Sequence, residues 1–228
     1  MPGPDSTAAS ILSAFQTAPR RDKMNHVLDR RVRGIALVLE NLYDPHNISA
    51  TLRSAEALGI QDVHVIETGH RFRLSSGVTR GCEKWLTLRR YESVAACAAW
   101  LTENGYEICV ADHRPGTPAA ETHDPLCKRA WWLGSEHLGV SEEARGCAGA
   151  SFRIPMGGFS ESFNVSVAVA LTLYAARSSW ERVTGLTGDL TAAEREELHT
   201  LWLKRDIASA DAILARHEST PQPIGNLP

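Results

Sequence analysis

A chain of 228 residues with 43% hydrophobic and 22% charged side chains is long enough to bury a sizeable core and has an ordinary globular composition. Its net charge of −3 argues against a generally basic nucleic-acid binder and leaves any RNA contact to local patches. The five cysteines (82, 97, 109, 127 and 147) form no C-x-x-C pair, and no apolar run approaches the ~18 residues of a membrane span. With no secretory pattern at the start, the expectation is a soluble, cytoplasmic protein with reduced thiols.

Residues 1–19 are rich in small residues and proline and read as a loose or partly helical leader. Residues 20–33 (RRDKMNHVLDRRVR) set six basic side chains against Asp22 and Asp29. GIALVLE (34–40) is continuously apolar up to its last residue, as a strand buried on both faces requires. NISATLRSAEAL (47–58) places Ile48, Leu52 and Ala55 on one helical face, with Gly59 as the stop. VHVIE (63–67) is the next strand. Residues 71–90 carry Arg71, Arg73, Arg80, Lys84, Arg89 and Arg90 against Glu83 and read as a basic loop.

The strand–helix alternation then resumes with a helix over 92–104 and a strand over 106–111. Strands follow at 131–134 and 151–155 around a short helix from Ser141, and a long helix covers 164–180. This alternation predicts an α/β fold, a mostly parallel sheet with helices on both faces. Thr191-Ala-Ala-Glu194 is a capping box opening a polar helix, and another helix covers about 206–217. The expected organisation is an N-terminal basic extension (1–33), a central domain (34–180) and a C-terminal helical extension (181–228).

Three segments are unusual. DPHNISATLRSAEALG (44–59) puts Asn47 at a helix start and Arg53 off the apolar stripe. WWLGSEHLGVSEE (131–143) ends a strand in Gly-Ser-Glu, where glycine lets backbone approach a ligand closely. IPMGGFSESFNVSVAVAL (154–171) runs through a Gly-Gly loop into Ser162 and Asn164 at a helix N-terminus. All three fall at the carboxyl ends of strands, where open α/β sheets bind ligands. Each alone has a plainer reading. Asn or Ser at a helix start is ordinarily a cap, and Arg53 with Glu56 has the spacing of a solvated surface pair.

Taken together, in this order, N-I-S-A-x-x-R-S-A-E-A-L-G, L-G-S-E-x-x-G-V-S and I-P-M-x-G…S-F-N-V-S-V-A-V-A resemble the three motifs of the SPOUT superfamily of RNA methyltransferases. Within it the match is with the TrmH-type tRNA ribose 2′-O-methyltransferases. The basic lead-in with VLDRR and the C-terminal helices resemble the layout of those acting on guanosine 18. The resemblance runs from about residue 20 to 180. It implies a deep C-terminal trefoil knot, which periodicity does not reveal, and a homodimer with the active site near the subunit interface.

The resemblance also implies roles for individual residues. Arg53 matches the family's catalytic arginine, which activates the ribose 2′-hydroxyl for in-line attack on the methyl of S-adenosylmethionine. A guanidinium normally stays protonated, so positioning and charge stabilisation compete with a base role. Asn47, Glu136, Ser162 and Asn164 match the remaining catalytic positions. Ala111, Leu133, Gly134, Ile154, Met156, Ser162 and Phe163 match the cofactor cradle. The chain departs from the family pattern in Phe159-Ser160-Glu161 and Phe163, where Met-Val-Gln and Leu are common, and in Ala111, where a hydroxyl residue is frequent.

The two basic zones assign tRNA phosphate contacts to Arg20, Arg21, Lys23, Arg30, Arg31, Arg71, Arg73, Arg80 and Lys84. A merely solvated charged surface is the competing reading. Trp131 and Trp132 are expected to pack rather than to stack on bases, and no metal site is expected. Neither a G-x-S-x-G elbow, a P-loop nor a G-x-G-x-x-G is present, so a hydrolase, NTPase or dehydrogenase is unsupported. Ribosomal RNA, the tRNA anticodon loop and a catalytically silent RNA-binding role are the alternatives.

Overall fold

The computed structural model describes residues 4–68, 81–114, 117–136 and 138–219. In chain order the elements are α1 (Pro4–Ser13), α2 (Ala18–Leu28), β1 (Val32–Glu40), α3 (Pro45–Ala57), β2 (Ile60–Ile66), β3 (Thr87–Tyr91), α4 (Val94–Glu103) and β4 (Glu107–Ala111). Then follow β5 (Arg129–Leu133), α5 (Glu142–Cys147), β6 (Ala150–Phe152), α6 (Val165–Thr184), α7 (Ala192–Asp206) and α8 (Ala210–Ser219), with 3₁₀ turns at Cys82–Trp85 and Ala120–Thr122. They fall into two compact units. One is Arg31–Asp189; the other joins the N-terminal segment up to Arg30 with the C-terminal segment from Leu190.

The larger unit is a six-stranded, all-parallel sheet in the order β3-β2-β1-β5-β4-β6. Side chains alternate between its faces along each strand. Leu37, Leu39, Trp131 and Leu133 share one core with Ile48, Leu52 and Ala55 of α3 and Val165, Val169 and Leu173 of α6. On the other face Ala36, Val38, Ala130 and Trp132 join Val94, Cys97 and Leu101 of α4 and Ala144 of α5. This double covering is why GIALVL and WWL are continuous apolar runs. The chain builds outward from β1 to β3 and then places β5 on the other side of β1. The strand order therefore reverses between β1 and β5, and a crevice opens at their carboxyl ends.

β3 corrects the expectation of a basic loop over 71–90. Thr87–Tyr91 pairs with β2 in the register Val63↔Leu88, its strand pattern masked by two arginines. Arg89 pairs with the buried Asp62 and lies 4.4 Å from the Trp100 ring centre. Arg90 reaches Glu67 at 3.8 Å. These charges serve the sheet edge. β6 is shorter than expected, ending at Phe152.

In the smaller unit Leu12, Met24, Leu28, Leu198, Trp202 and Leu203 are buried. Arg20 grips Asp206 through two hydrogen bonds of 2.8 and 2.7 Å, and Arg195 donates to Asp29 at 2.8 Å. The leader and the C-terminal helices, separate segments in sequence, thus belong to one helical unit. Thr191 and Glu194 form the reciprocal capping box at the start of α7. Among the described residues no helix is long and apolar enough to cross a membrane, and all five cysteines are free.

Candidate active site

Three loops converge at the carboxyl ends of β1, β5 and β6. The first enters α3, which is capped by Asp44, whose side chain accepts from the His46 N–H, with Pro45 beginning the helix. The cap is therefore not Asn47, and its amide is left for tertiary contacts. Asn47 Nδ2 donates to Glu136 Oε1, and Asn47 Oδ1 accepts from Asn164 Nδ2 at 3.0 Å. Asn164 does cap its own helix: its Oδ1 accepts from the Ser166 N–H at 2.9 Å and from the Ser166 hydroxyl at 2.6 Å. The result is a one-way relay, Ser166 to Asn164 to Asn47 to Glu136, ending on a carboxylate. Each amide uses donor and acceptor in the only orientation that satisfies both neighbours.

The loop carrying Glu136 is held by backbone geometry. The Gly139 N–H donates to the Ser135 carbonyl at 2.8 Å, and Gly139 sits at φ +66°. A Cβ on Gly134 would lie 1.8 Å from the Gly139 carbonyl oxygen, so only glycine fits where β5 meets this turn. At the loop's far end the buried Glu40, last residue of β1, accepts from the Trp132 indole N–H at 2.9 Å and the Ser141 N–H at 3.3 Å. Sequence reasoning passed over Glu40. Its signal is a lone carboxylate closing an otherwise apolar strand.

Arg53 is exposed on α3. Among the described residues none accepts a hydrogen bond or forms an ion pair with its guanidinium. The expected Arg53–Glu56 surface pair does not form, because Glu56 pairs with Arg31 instead. Ser162 is also exposed and stands outside the relay. Of the five candidate catalytic residues, the structure joins Asn47, Glu136 and Asn164 directly.

Of the expected cofactor positions, Leu133 is buried, Ala111, Gly134 and Ile154 are half-buried, and Met156 and Phe163 are exposed. Phe159 beside them is fully exposed. Apolar side chains at a sheet's carboxyl edge suit a flat, uncharged base, and this composition fits an adenosine.

The candidate RNA contacts divide. Arg21, Lys23 and Arg30 are exposed, although Arg30 also donates to the His26 carbonyl at 3.1 Å. Arg20 is committed to Asp206. Arg31 is a correction: its side chain has no solvent exposure, so its charge is spent inside the protein and does not reach a phosphate. Lys84 is half-buried, 4.5 Å from the Trp85 ring centre. Arg71, Arg73 and Arg80 lie outside the described residues. Trp131 and Trp132 are buried in the two cores, in keeping with packing.

No cluster of metal-ligating side chains occurs among the described residues. His123 contacts the Ser151 carbonyl at 3.0 Å and the edge of Trp131. Burial, with the nearby Arg129 charge, holds its pKa below the usual value.

A family model described as the SpoU rRNA methylase family matches residues 34–174. The chain is 36% identical over 164 residues, 72% of its length and 75% of the relative's, to a tRNA (guanosine(18)-2′-O)-methyltransferase of Borreliella burgdorferi. It superposes with a TM-score of 0.76 at 24% identity on an A. aeolicus TrmH/SpoU tRNA modifying enzyme, covering 84% of this chain and 98% of that one. An AdoMet-bound rRNA methyltransferase from Sinorhizobium meliloti matches with a TM-score of 0.59 at 26% identity, over 67% of this chain and 59% of that one.

Proposed function

The chain belongs to the SpoU rRNA methylase family, and on that premise we propose that it methylates the ribose 2′-hydroxyl of guanosine 18 in tRNA, using S-adenosylmethionine. The observation that carries this reading is the relay that ties Glu136, Asn47 and Asn164, one from each motif segment, into one constellation. S-adenosylmethionine supplies an electrophilic methyl on its sulfonium. Ala111, Leu133, Gly134, Ile154, Met156, Ser162 and Phe163 hold its adenosine through apolar contact and main-chain groups.

Arg53 orients the ribose hydroxyl, and as the hydroxyl proton passes to solvent its guanidinium stabilises the negative charge left on the oxygen; the carbon–sulfur bond breaks as the carbon–oxygen bond forms, leaving a neutral thioether. Alignment of nucleophile and methyl contributes to the catalysis, since orientation supplies up to ~7–11 kcal/mol in favourable cases. The relay keeps the loops rigid and so maintains that alignment. Arg21, Lys23, Arg30 and Lys84 contribute phosphate contacts, which position the RNA without reading its sequence.

The reading extends to a homodimer and a trefoil knot. Val167, Leu171 and Tyr174 of α6 are 44, 41 and 63% exposed and fall at helical spacing, an apolar stripe suited to a second copy of the chain. In support of the knot, the chain leaving β6 is laced to the loop after β4: the Arg153 N–H donates to the Pro118 carbonyl at 2.9 Å.

The test is incubation with S-adenosylmethionine and unmodified tRNA transcript, followed by digestion and mass spectrometry, with Arg53→Ala alongside. Methylation at guanosine 18, lost in the variant, is expected. A methyl at another nucleotide, or only on ribosomal RNA, overturns the substrate. No transfer to any RNA by protein that binds the cofactor overturns the enzyme reading.

A further inference from the structure

Arg53 and Glu56 stand three residues apart on α3, the spacing at which opposite charges meet on a helix surface. A carboxylate there would neutralise the cation and set negative charge beside the RNA backbone. Instead Glu56 is held by Arg31: Arg31 Nη2 donates to Glu56 Oε1 at 2.7 Å, and Nη1 donates to the Glu56 carbonyl at 3.4 Å. The Arg31 side chain is completely buried and that of Glu56 is 25% exposed. Arg31 lies directly before β1 and is anchored there by its own carbonyl, which accepts from the Asp189 N–H at 3.1 Å.

Burying a guanidinium is costly, and an apolar side chain could fill the same volume more cheaply. The charge at this position therefore calls for a reason beyond packing. We propose that Arg31 is a positioning residue for methyl transfer: by sequestering Glu56 it keeps the Arg53 guanidinium unpaired and available to the ribose and its phosphate. The role rests on Arg53 acting in the transfer. Arg31 touches neither substrate nor cofactor; it acts by withholding a competitor.

The test uses the full chain, with transfer from labelled S-adenosylmethionine to tRNA transcript giving kcat and KM, and with thermal melting and cofactor binding followed in parallel. Arg31→Met frees Glu56 and lowers kcat/KM for RNA about two- to fivefold, the range that exposed helical ion pairs span. Arg31→Lys still holds the carboxylate and loses less. Glu56→Gln alone keeps an amide oxygen for Arg31 and, assayed well below its melt, transfers methyl at close to the wild-type rate, although its melting temperature falls because the buried guanidinium loses its charged partner. Adding Glu56→Gln to Arg31→Met brings activity back to within about twofold of wild type, although the double variant melts no higher than Arg31→Met.

A purely structural Arg31 gives a double variant no more active than the single one, and that result overturns the proposal. A second probe leaves the buried pair intact. Ala57 is exposed, four residues after Arg53, so Ala57→Glu supplies a free carboxylate at pairing distance. Ala57→Glu is expected to lose about two- to fivefold relative to Ala57→Gln; equal rates overturn the idea even where Arg31→Met does not fold. An active Arg53→Ala sinks the role of Arg53 itself. An inactive Arg53→Ala without rescue by Glu56→Gln sinks only that of Arg31.

Discussion

Replacing Asn47 by Asp changes one atom group and reverses the polarity of the relay. The Asn47 Nδ2 that donates to Glu136 becomes an acceptor facing a carboxylate. The hydrogen bond from Asn164 Nδ2 at 3.0 Å survives, because the oxygen that accepts it remains. Two charges at about 3 Å repel by about 1.4 kcal/mol in bulk water and about 5 at an effective dielectric of 20. Glu136 is exposed and Asn47 half-buried, so the lower part of that range applies.

A lost hydrogen bond to a charged group, worth about 1.5 kcal/mol or more when shielded, is discounted here for solvent. The sum of about 2–3 kcal/mol predicts a fall in kcat/KM of roughly 30- to 150-fold if the relay is needed in the transition state. Glu136→Gln alone keeps an acceptor for Asn47 and costs less. Combining it with Asn47→Asp restores complementarity, since the new amide can donate to the new carboxylate. Initial rates of methyl transfer for the four proteins form the assay. A double variant as impaired as Asn47→Asp refutes the relay as the link between the loops.

Gly134→Ala drives a Cβ into the Gly139 backbone and is expected to cost at least the ~1–3 kcal/mol of overpacking and to abolish transfer. Gly157→Ala, whose Cβ meets nothing within 4 Å, serves as the neutral control in the same melts. Burial, with the Arg89 charge, pushes the pKa of His64 down to about 3. The unfolded chain then binds the extra proton below pH 6.5, and stability falls as pH drops from there toward 3, by up to about 1.4 kcal/mol per pH unit.

His123 and His199, also lowered first by burial, act in the same direction. Denaturant titrations between pH 7 and 4.5 should show a shallower slope in His64→Phe, and an unchanged slope refutes the assignment. Thr191→Ala breaks the capping box of α7 and should lower the stability of the helical unit by about 1 kcal/mol, read as a shift in its unfolding midpoint.

The central strands were legible because both faces of β1 and β5 are covered, which forces continuous apolar runs. The helices were legible from their stripes and caps, and the site segments because glycine, asparagine and serine cluster where strands end. β3 was hidden because Arg89 and Arg90 serve Asp62 and Glu67 from a half-buried sheet edge, where charge disguises a strand. Local spacing also favoured Arg53 with Glu56, and Asn47 as a cap. Only the tertiary structure brought Arg31 against Glu56, releasing Arg53; the Asp44 cap is local, an Asp-Pro helix start, and what folding added at Asn47 was its partners Glu136 and Asn164. Spacing along a chain describes which groups could meet on one element; a partner 25 or 89 residues away competes for the same groups, and folding decides which pair forms.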